Sequence, residues 1–420
     1  MDDCPALVVI GASGRFFAAS ARRAGWRVHV ADLFGDLDLR EVAASVACAR
    51  DRAGGYPESL IDAARDFPPA AFCYVGAVEN HPQVIRAVAR DRRLLGSPPE
   101  AVAAVRDPWA LRRIVRGAGL ASPDCQPGPE GLPADGSYLR KPLASAGGRG
   151  IVPWTAAAPP TVAPCVWQRR TAGGCWSAAF VVAAEGGRLV GASRQWTGLP
   201  WCHARPFSYC GSLDVPLPAL PDGLRRQLAA LGPALADCGL RGVVGADLVV
   251  DAAGVAWVLE VNPRPTASME LIERASGASI AALHLAACGA TPAEGGEPAA
   301  AAVGGHHTKA VLYAPHALAV DAAWLDRLAE CRRRWQAEDG LAAVADIPAP
   351  GRLIPAGGPI CTLFATAATA AIAAARLRER AEAVSAMFSP PCGGPAPRPA
   401  ATPGGIPSGM RPRSCPDRSP

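Results

Sequence analysis

The sequence predicts an α/β region followed by an α+β region. A doubly wound parallel sheet comes first, then antiparallel strands mixed with helices, then a small C-terminal β-rich module with a terminal helix. Three observations carry this. Apolar runs alternate with helical stretches over the first hundred residues. Strand-like runs separated by hairpin turns occupy the middle of the chain, and the pattern turns β-like again from Lys309.

The elements follow in order. Residues 6–11 are an apolar run ending at glycine, 12–14 form a turn, 15–24 read as helix, and 26–31 alternate as a second strand ending at Asp32. This β-loop-α-β opening calls for parallel pairing. Residues 71–75 add a strand, and Glu79-Asn80-His81-Pro82 leads into a helix over 83–89. Asp107-Pro108 puts an acid at the N-cap and proline at the first helical position, so a helix starts there, reaches Gly117 and is broken by Ser122-Pro123. Residues 138–142 form a short strand before the flexible loop 145–150. Strands over 166–171, 178–184 and 189–194 are antiparallel, with 185–187 turning one hairpin. Residues 222–238 are helical, 243–251 and 255–261 are strands around the turn 251–254, and 269–288 form one helix. His306-His307 reads as part of a polar linker, and 324–335 place apolar side chains at helical spacing as a packing stripe. Residues 367–387 are an alanine-rich helix, and the last 32 residues hold ten Pro and five Gly, a disordered composition. The expected organisation is 1–105, 106–290, a linker over 291–305, 306–388 and the tail 389–420.

Composition excludes several functions. Of 42 basic side chains only Lys141 and Lys309 are lysine. Neither stands in a Gly-Lys-Ser/Thr context, which removes a P-loop, and no His-Arg-Asp loop follows Lys309 as a kinase would need. Carrier-arm, Schiff-base and pyridoxal chemistry have two candidates at most. A net charge of +5, of which the tail carries +3, argues against a nucleic-acid partner. The 14 cysteines contain no Cys-x-x-Cys and the start Met-Asp-Asp-Cys lacks a signal peptide, so reduced thiols and a cytoplasmic location are expected. The longest apolar run, 363–375, is too short to span a bilayer, so no membrane partner is expected.

Two constellations can carry chemistry. Lys141 at a strand end is followed by Ser145-Ala-Gly147-Gly148-Arg-Gly150, where glycine amides can close over phosphate oxygens and the lysine supplies a charge. An ordinary glycine-rich hairpin would explain that loop equally. Asp247 and Glu260 lie 13 residues apart on adjacent strands, on one face if the hairpin pairs as read. With Asn262 they offer hard oxygen ligands suited to Mg2+. Arg264 lies just beyond, where a guanidinium can hold a phosphoryl group. A solvated acidic hairpin is the plain alternative.

These residues, in this order and separation, resemble the ATP-grasp superfamily over roughly residues 5–290. A closer resemblance is to predicted ATP-dependent carboligases found beside one-carbon-metabolism genes, a group related to tyramine–glutamate ligase. Residues 79–82, 204–212 and 262–270 carry it. The resemblance implies ATP and Mg2+ or Mn2+ as cofactors. Lys141 would touch the nucleotide, Ser145, Gly147, Gly148 and Gly150 would form the phosphate lid, and Gln168 and Arg169 would lie at the adenine hinge. Asp247, Glu260 and Asn262 would hold the metal, and Arg264 would steady the γ-phosphate and the acyl phosphate. Glu79, Arg205 and Ser268 are candidate substrate contacts. Two departures stand out. The hinge carries arginine where the superfamily usually has glutamate, and Pro108 replaces a second lysine, for which Arg106 or Arg112 would substitute.

The implied activity is C–N ligation of a small-molecule carboxylate and an amine through an acyl phosphate, with a homodimer as one candidate assembly. The alternatives are a catalytically degenerate nucleotide-binding protein and a bicarbonate-using carboxylase. The last is suggested by residues 346–366, which resemble a small β-hammerhead but contain no lysine for a carrier arm. Gly11-x-Ser13-Gly14 is not a full dinucleotide fingerprint, so NAD is not expected. Cys202-His203 with Cys210 lacks further ligands at a usual spacing and reads as a substrate loop.

Overall fold

The computed structural model describes residues 4–290 and 304–388; the expected disordered tail and most of the expected linker lie outside them. The N-terminal elements are β1 (Ala6–Ile10), α1 (Arg15–Arg23), β2 (Arg27–Asp32), α2 (Leu37–Val42), β3 (Ser45–Cys48), α3 (Ser59–Asp66), β4 (Ala71–Tyr74) and α4 (Pro82–Val88). The strands form a parallel sheet in the order β3-β2-β1-β4. Alternation along β1 shows why helices cover both faces. Leu7 and Val9 pack with Phe17 and Ala18 of α1, while Val8 and Ile10 pack with Leu60 of α3 and Ile85 of α4. A methyl on Gly11 would overlap Val75, so that glycine is explained by close packing of β1 against the end of β4.

Next come α5 (Pro99–Arg106), α6 (Pro108–Gly117), β5 (Cys125–Gln126), β6 (Asp135–Pro142), β7 (Val152–Thr155) and β8 (Cys165–Arg169). Asp107 caps α6 as its sequence position predicts, accepting a hydrogen bond from the Ala110 amide at 2.6 Å. The four strands form an antiparallel sheet in the order β5-β8-β6-β7.

The remaining elements are β9 (Gly174–Ala183), β10 (Gly186–Thr197), β11 (Tyr209–Val215), α7 (Asp222–Asp237), β12 (Gly242–Val250), β13 (Ala256–Asn262), α8 (Met269–Ser276), α9 (Ile280–Ala287), β14 (His306–Tyr313), β15 (Leu318–Ala319), α10 (Ala322–Asp339), β16 (Val344–Ala345), β17 (Leu353–Ile354), β18 (Pro359–Ala367) and α11 (Ala370–Ser385). Eight of these strands build one sheet in the order β13-β12-β9-β10-β11-β14-β18-β16. Leu224, Leu228, Leu231 and Leu235 form the buried stripe of α7 and pack on Phe180 and Ala192 of β9 and β10. Burying each such leucine contributes about 2 kcal/mol. Trp324, Leu328 and Trp335 form the stripe expected on α10.

The structure corrects two readings. The single helix expected over 269–288 is two helices. Gly277 is left-handed (φ 73°) and ends α8, and the Ser279 hydroxyl accepts from the Ala282 amide to start α9. His306-His307 is not a polar linker. It opens β14, where His307 is buried and its backbone N–H donates to Asp214 Oδ1 at 2.6 Å. The C-terminal strands also extend the central sheet, with β14 pairing on β11 and β18 on β14. Among the described residues no helix is long and apolar enough to cross a membrane.

Candidate active site

A cavity of about 1270 Å3 opens between the four-stranded sheet, the eight-stranded sheet and the N-terminal domain. Its centre is the β12–β13 hairpin. Asp247 and Glu260 face each other in register, and the ladder shifts just past Asp247, so Leu248 pairs with Val258. Asp247 Oδ1 accepts from Gln195 Nε2 and Oδ2 from Asn262 Nδ2, both at 2.9 Å. Burial first, then the Glu260 charge, push the Asp247 carboxyl up. Burial also acts to raise Glu260, but Arg106 and Lys141 more than offset it and hold that carboxyl below the usual range. Arg106 stands 3.7 Å from Glu260 Oε2.

Lys141, near the end of β6, lines the same cavity and donates to Gln168 Oε1 at 3.1 Å. Burial lowers its pKa, with Glu260 opposing. The loop after it is built as a phosphate lid would be. Gly147, Gly148 and Gly150 all have positive φ (61°, 76° and 79°). A methyl on Gly148 would overlap the Phe207 carbonyl, and the Tyr209 amide donates to Gly147 O at 3.0 Å. The segment 204–212 therefore docks this loop. Ser145, Gly147 and Gly148 line the cavity, whereas Gly150 packs against Pro142 at the base of the loop. Arg169 lines the cavity with an exposed side chain beside the buried Gln168.

The segment 79–82 clamps these parts to the N-terminal domain. Glu79 is buried and takes Arg264 Nη2 on Oε1 at 2.6 Å. Asn80 donates to Ser145 O at 3.1 Å and accepts from Arg106 Nη2 at 2.9 Å. Tyr74 donates to the Pro263 carbonyl at 3.0 Å, holding the strand exit from below. Glu79 is thus the partner of Arg264 rather than a lining residue. Arg205 does not line the cavity either; its guanidinium is exposed beside Gly357. Ser268 does line it, and donates to Ser177 Oγ at 3.3 Å. Of the two arginines considered for the missing lysine, Arg106 reaches the cavity while Arg112 pairs with Asp124 outside it.

The far end of the cavity was not legible in the sequence. Lys309 lines it, buried, with Nζ 2.8 Å from Glu270 Oε2 and 3.0 Å from Ala267 O. Arg15 pairs there with Glu270 at 2.5 Å and Asp346 at 2.8 Å. Thr362 donates to Asp346, so the β-rich segment 346–366 closes this end. Only the rarity of lysine pointed at Lys309. Gln195 and Asn80 carried no signal of their own beyond the segment containing Asn80.

Residues 105–268 match the family model of the ATP-grasp domain. The fold is ATP-grasp. The carboxyaminoimidazole ribonucleotide synthase from Aspergillus clavatus, complexed with ATP, is similar with a TM-score of 0.67 at 15% identity, over 92% of this chain and 100% of that one. An L-amino acid ligase from Bacillus licheniformis gives 0.63 at 15%, over 91% and 98%. Biotin carboxylase from Campylobacter jejuni, in an ATP complex, gives 0.62 at 14%, over 92% and 95%. No curated protein matches the sequence. The ATP-grasp fold of this chain therefore runs from the parallel N-terminal sheet through the C-terminal strands, beyond the matched domain.

Proposed function

We propose that the protein is an ATP- and Mg2+-dependent ligase that joins a carboxylate to an amine through an acyl phosphate. The supporting observation is the meeting of Asp247, Glu260 and Asn262 on one hairpin with Lys141 and the glycine lid in one cavity. The donor set fits the metal, since two carboxylates and an amide oxygen leave further positions for water and phosphate oxygens. Half-buried, partly unsatisfied guanidinium groups fit phosphate as well: among the described residues the buried Nε of Arg106 and of Arg264 find no hydrogen-bond partner. Bound Mg2+-ATP would supply the phosphoryl group that activates the carboxylate. The residues of the chain hold and shield it. Lys141 and the lid glycines cradle phosphate oxygens, Arg264 is aimed by Glu79, and the lid excludes water.

The test is an ADP-release screen with paired carboxylates and amines, including glutamate, tyramine and other aromatic amines. ADP release is expected to need both partners. Glu260→Gln and Lys141→Ala are each expected to abolish it while the melting transition persists; unchanged turnover in Glu260→Gln would overturn the metal assignment. The likeness to two carboxylating enzymes over nearly the whole chain favours bicarbonate as a second reading. ADP release driven by bicarbonate alone would select it. ATP binding without release against any pair would select a degenerate nucleotide-binding protein.

A further inference from the structure

The cavity extends past the hairpin to an end enclosed by the N-terminal domain and the 346–362 segment, and Asp36 lies there. This carboxylate is 5% exposed and lines the cavity. Among the described residues no donor and no cation pairs with it. Its sequence position makes the omission informative. Asp36 is the N-cap of α2, where an aspartate normally accepts from its own helix amides, yet its side chain makes no such bond. The charges facing it are Asp346, Asp32, Asp38 and Arg15. Asp32 accepts from the amides of Gly14, Phe34 and Gly35, and Asp38 from those of Asp346 and Ile347. Arg15 is committed to Glu270 and Asp346. Burial and the three neighbouring carboxylates push the Asp36 carboxyl up to about 9. A buried carboxyl without a partner beside other carboxylates is held in its neutral, protonated form, and a cation joining it would restore its charge. The cations at the rim are already occupied: Arg352 binds Phe34 O and Asp51, and Arg50 lies over the Phe34 ring.

We propose that Asp36 is the binding residue for the ammonium group of a primary amine, with the body of the amine against Phe34 and Pro348. The site deepens the ligase reading and rests on it for calling that amine the acceptor substrate. Binding itself does not depend on turnover, so the two can fail separately.

Calorimetric titration of the full chain with tyramine and 2-phenylethylamine, each against its alcohol isostere (tyrosol and 2-phenylethanol), tests the site. Wild type is expected to bind the amines about 10- to 100-fold more tightly than the alcohols, the range of a charge-assisted hydrogen bond. Asp36→Asn should bring that ratio close to one, and Asp36→Glu should keep part of it. Melting curves guard against misfolding, since an amide in place of the neutral carboxyl beside Asp346 is not expected to lower the transition. Failure of both amines to bind, equal binding of amine and alcohol, or an unchanged ratio in Asp36→Asn would each overturn the proposal. If the amine preference holds while no amine–carboxylate pair releases ADP, the ligase reading fails and the ammonium site stands.

Discussion

Both lysines of this arginine-rich chain line one cavity. Lys141 fits a compact ammonium against Gln168, with Arg106 and Glu260 close by. A planar guanidinium is wider and forks its donors, so Lys141→Arg should leave the melting temperature unchanged but lower ADP release by about 100-fold. Kinetics and a melt on the same preparation check both halves. Lys309 does different work, as a buried partner of Glu270. Replacing it with Met removes one of the cations around Glu270 while Arg15 stays paired, and urea denaturation should show a loss of about 1.5–3 kcal/mol. The grouping on the β12–β13 hairpin was legible because spacing and alternation bring Asp247, Glu260 and Asn262 together locally. Lys309 was not, since Glu270 and Arg15 meet it from elements far away in sequence. Glu79 and Arg205 were read as substrate contacts, but chemistry-bearing side chains in a shared segment do not reveal which way they face.

At the scale of elements, α7 packs on β10 where Gly187 and Gly232 meet backbone to backbone, and a methyl on either would overlap the other's carbonyl. Neither strand nor helix can yield by a rotamer change. Gly187→Ala should therefore destabilise by about 1–3 kcal/mol. Gly223→Ala, in the exposed first turn of α7 with open space around it, should stabilise by about 0.5–1 kcal/mol. A urea series on the two variants separates contact from chain entropy. The break between α8 and α9 shows the limit of periodicity. Apolar spacing continues across Gly277-Ala278-Ser279, but a left-handed glycine followed by a serine cap lets the chain change direction.

Across the whole molecule, His284 joins three parts. Its Nδ1 accepts from the Val243 amide at 2.9 Å, its Nε2 donates to Leu95 O at 3.0 Å, and Phe17 packs edge-on against its ring. Both nitrogens are used by the neutral ring, and burial pushes its pKa down to about 4. The unfolded chain binds the proton from about pH 6.5, the folded one only near pH 4. Stability from this residue is thus complete above pH 6.5 and falls as the pH drops toward 4, by about 3 kcal/mol in total. Urea midpoints at pH 7 and pH 4.5 should separate more in wild type than in His284→Gln.

The sequence by itself determined the order of parts, the capped helix after Asp107, the glycine-rich loop after Lys141 and the pairing of Asp247 with Glu260 on one hairpin, because each depends on φ preferences or alternation within a short stretch. Only the tertiary structure decided how Arg15, Glu270, Lys309 and Asp346 pair. Their pairings join the N-terminal domain to the C-terminal strands across up to 331 residues, and no local spacing encodes a charge balance that exists only once those surfaces have closed on one another.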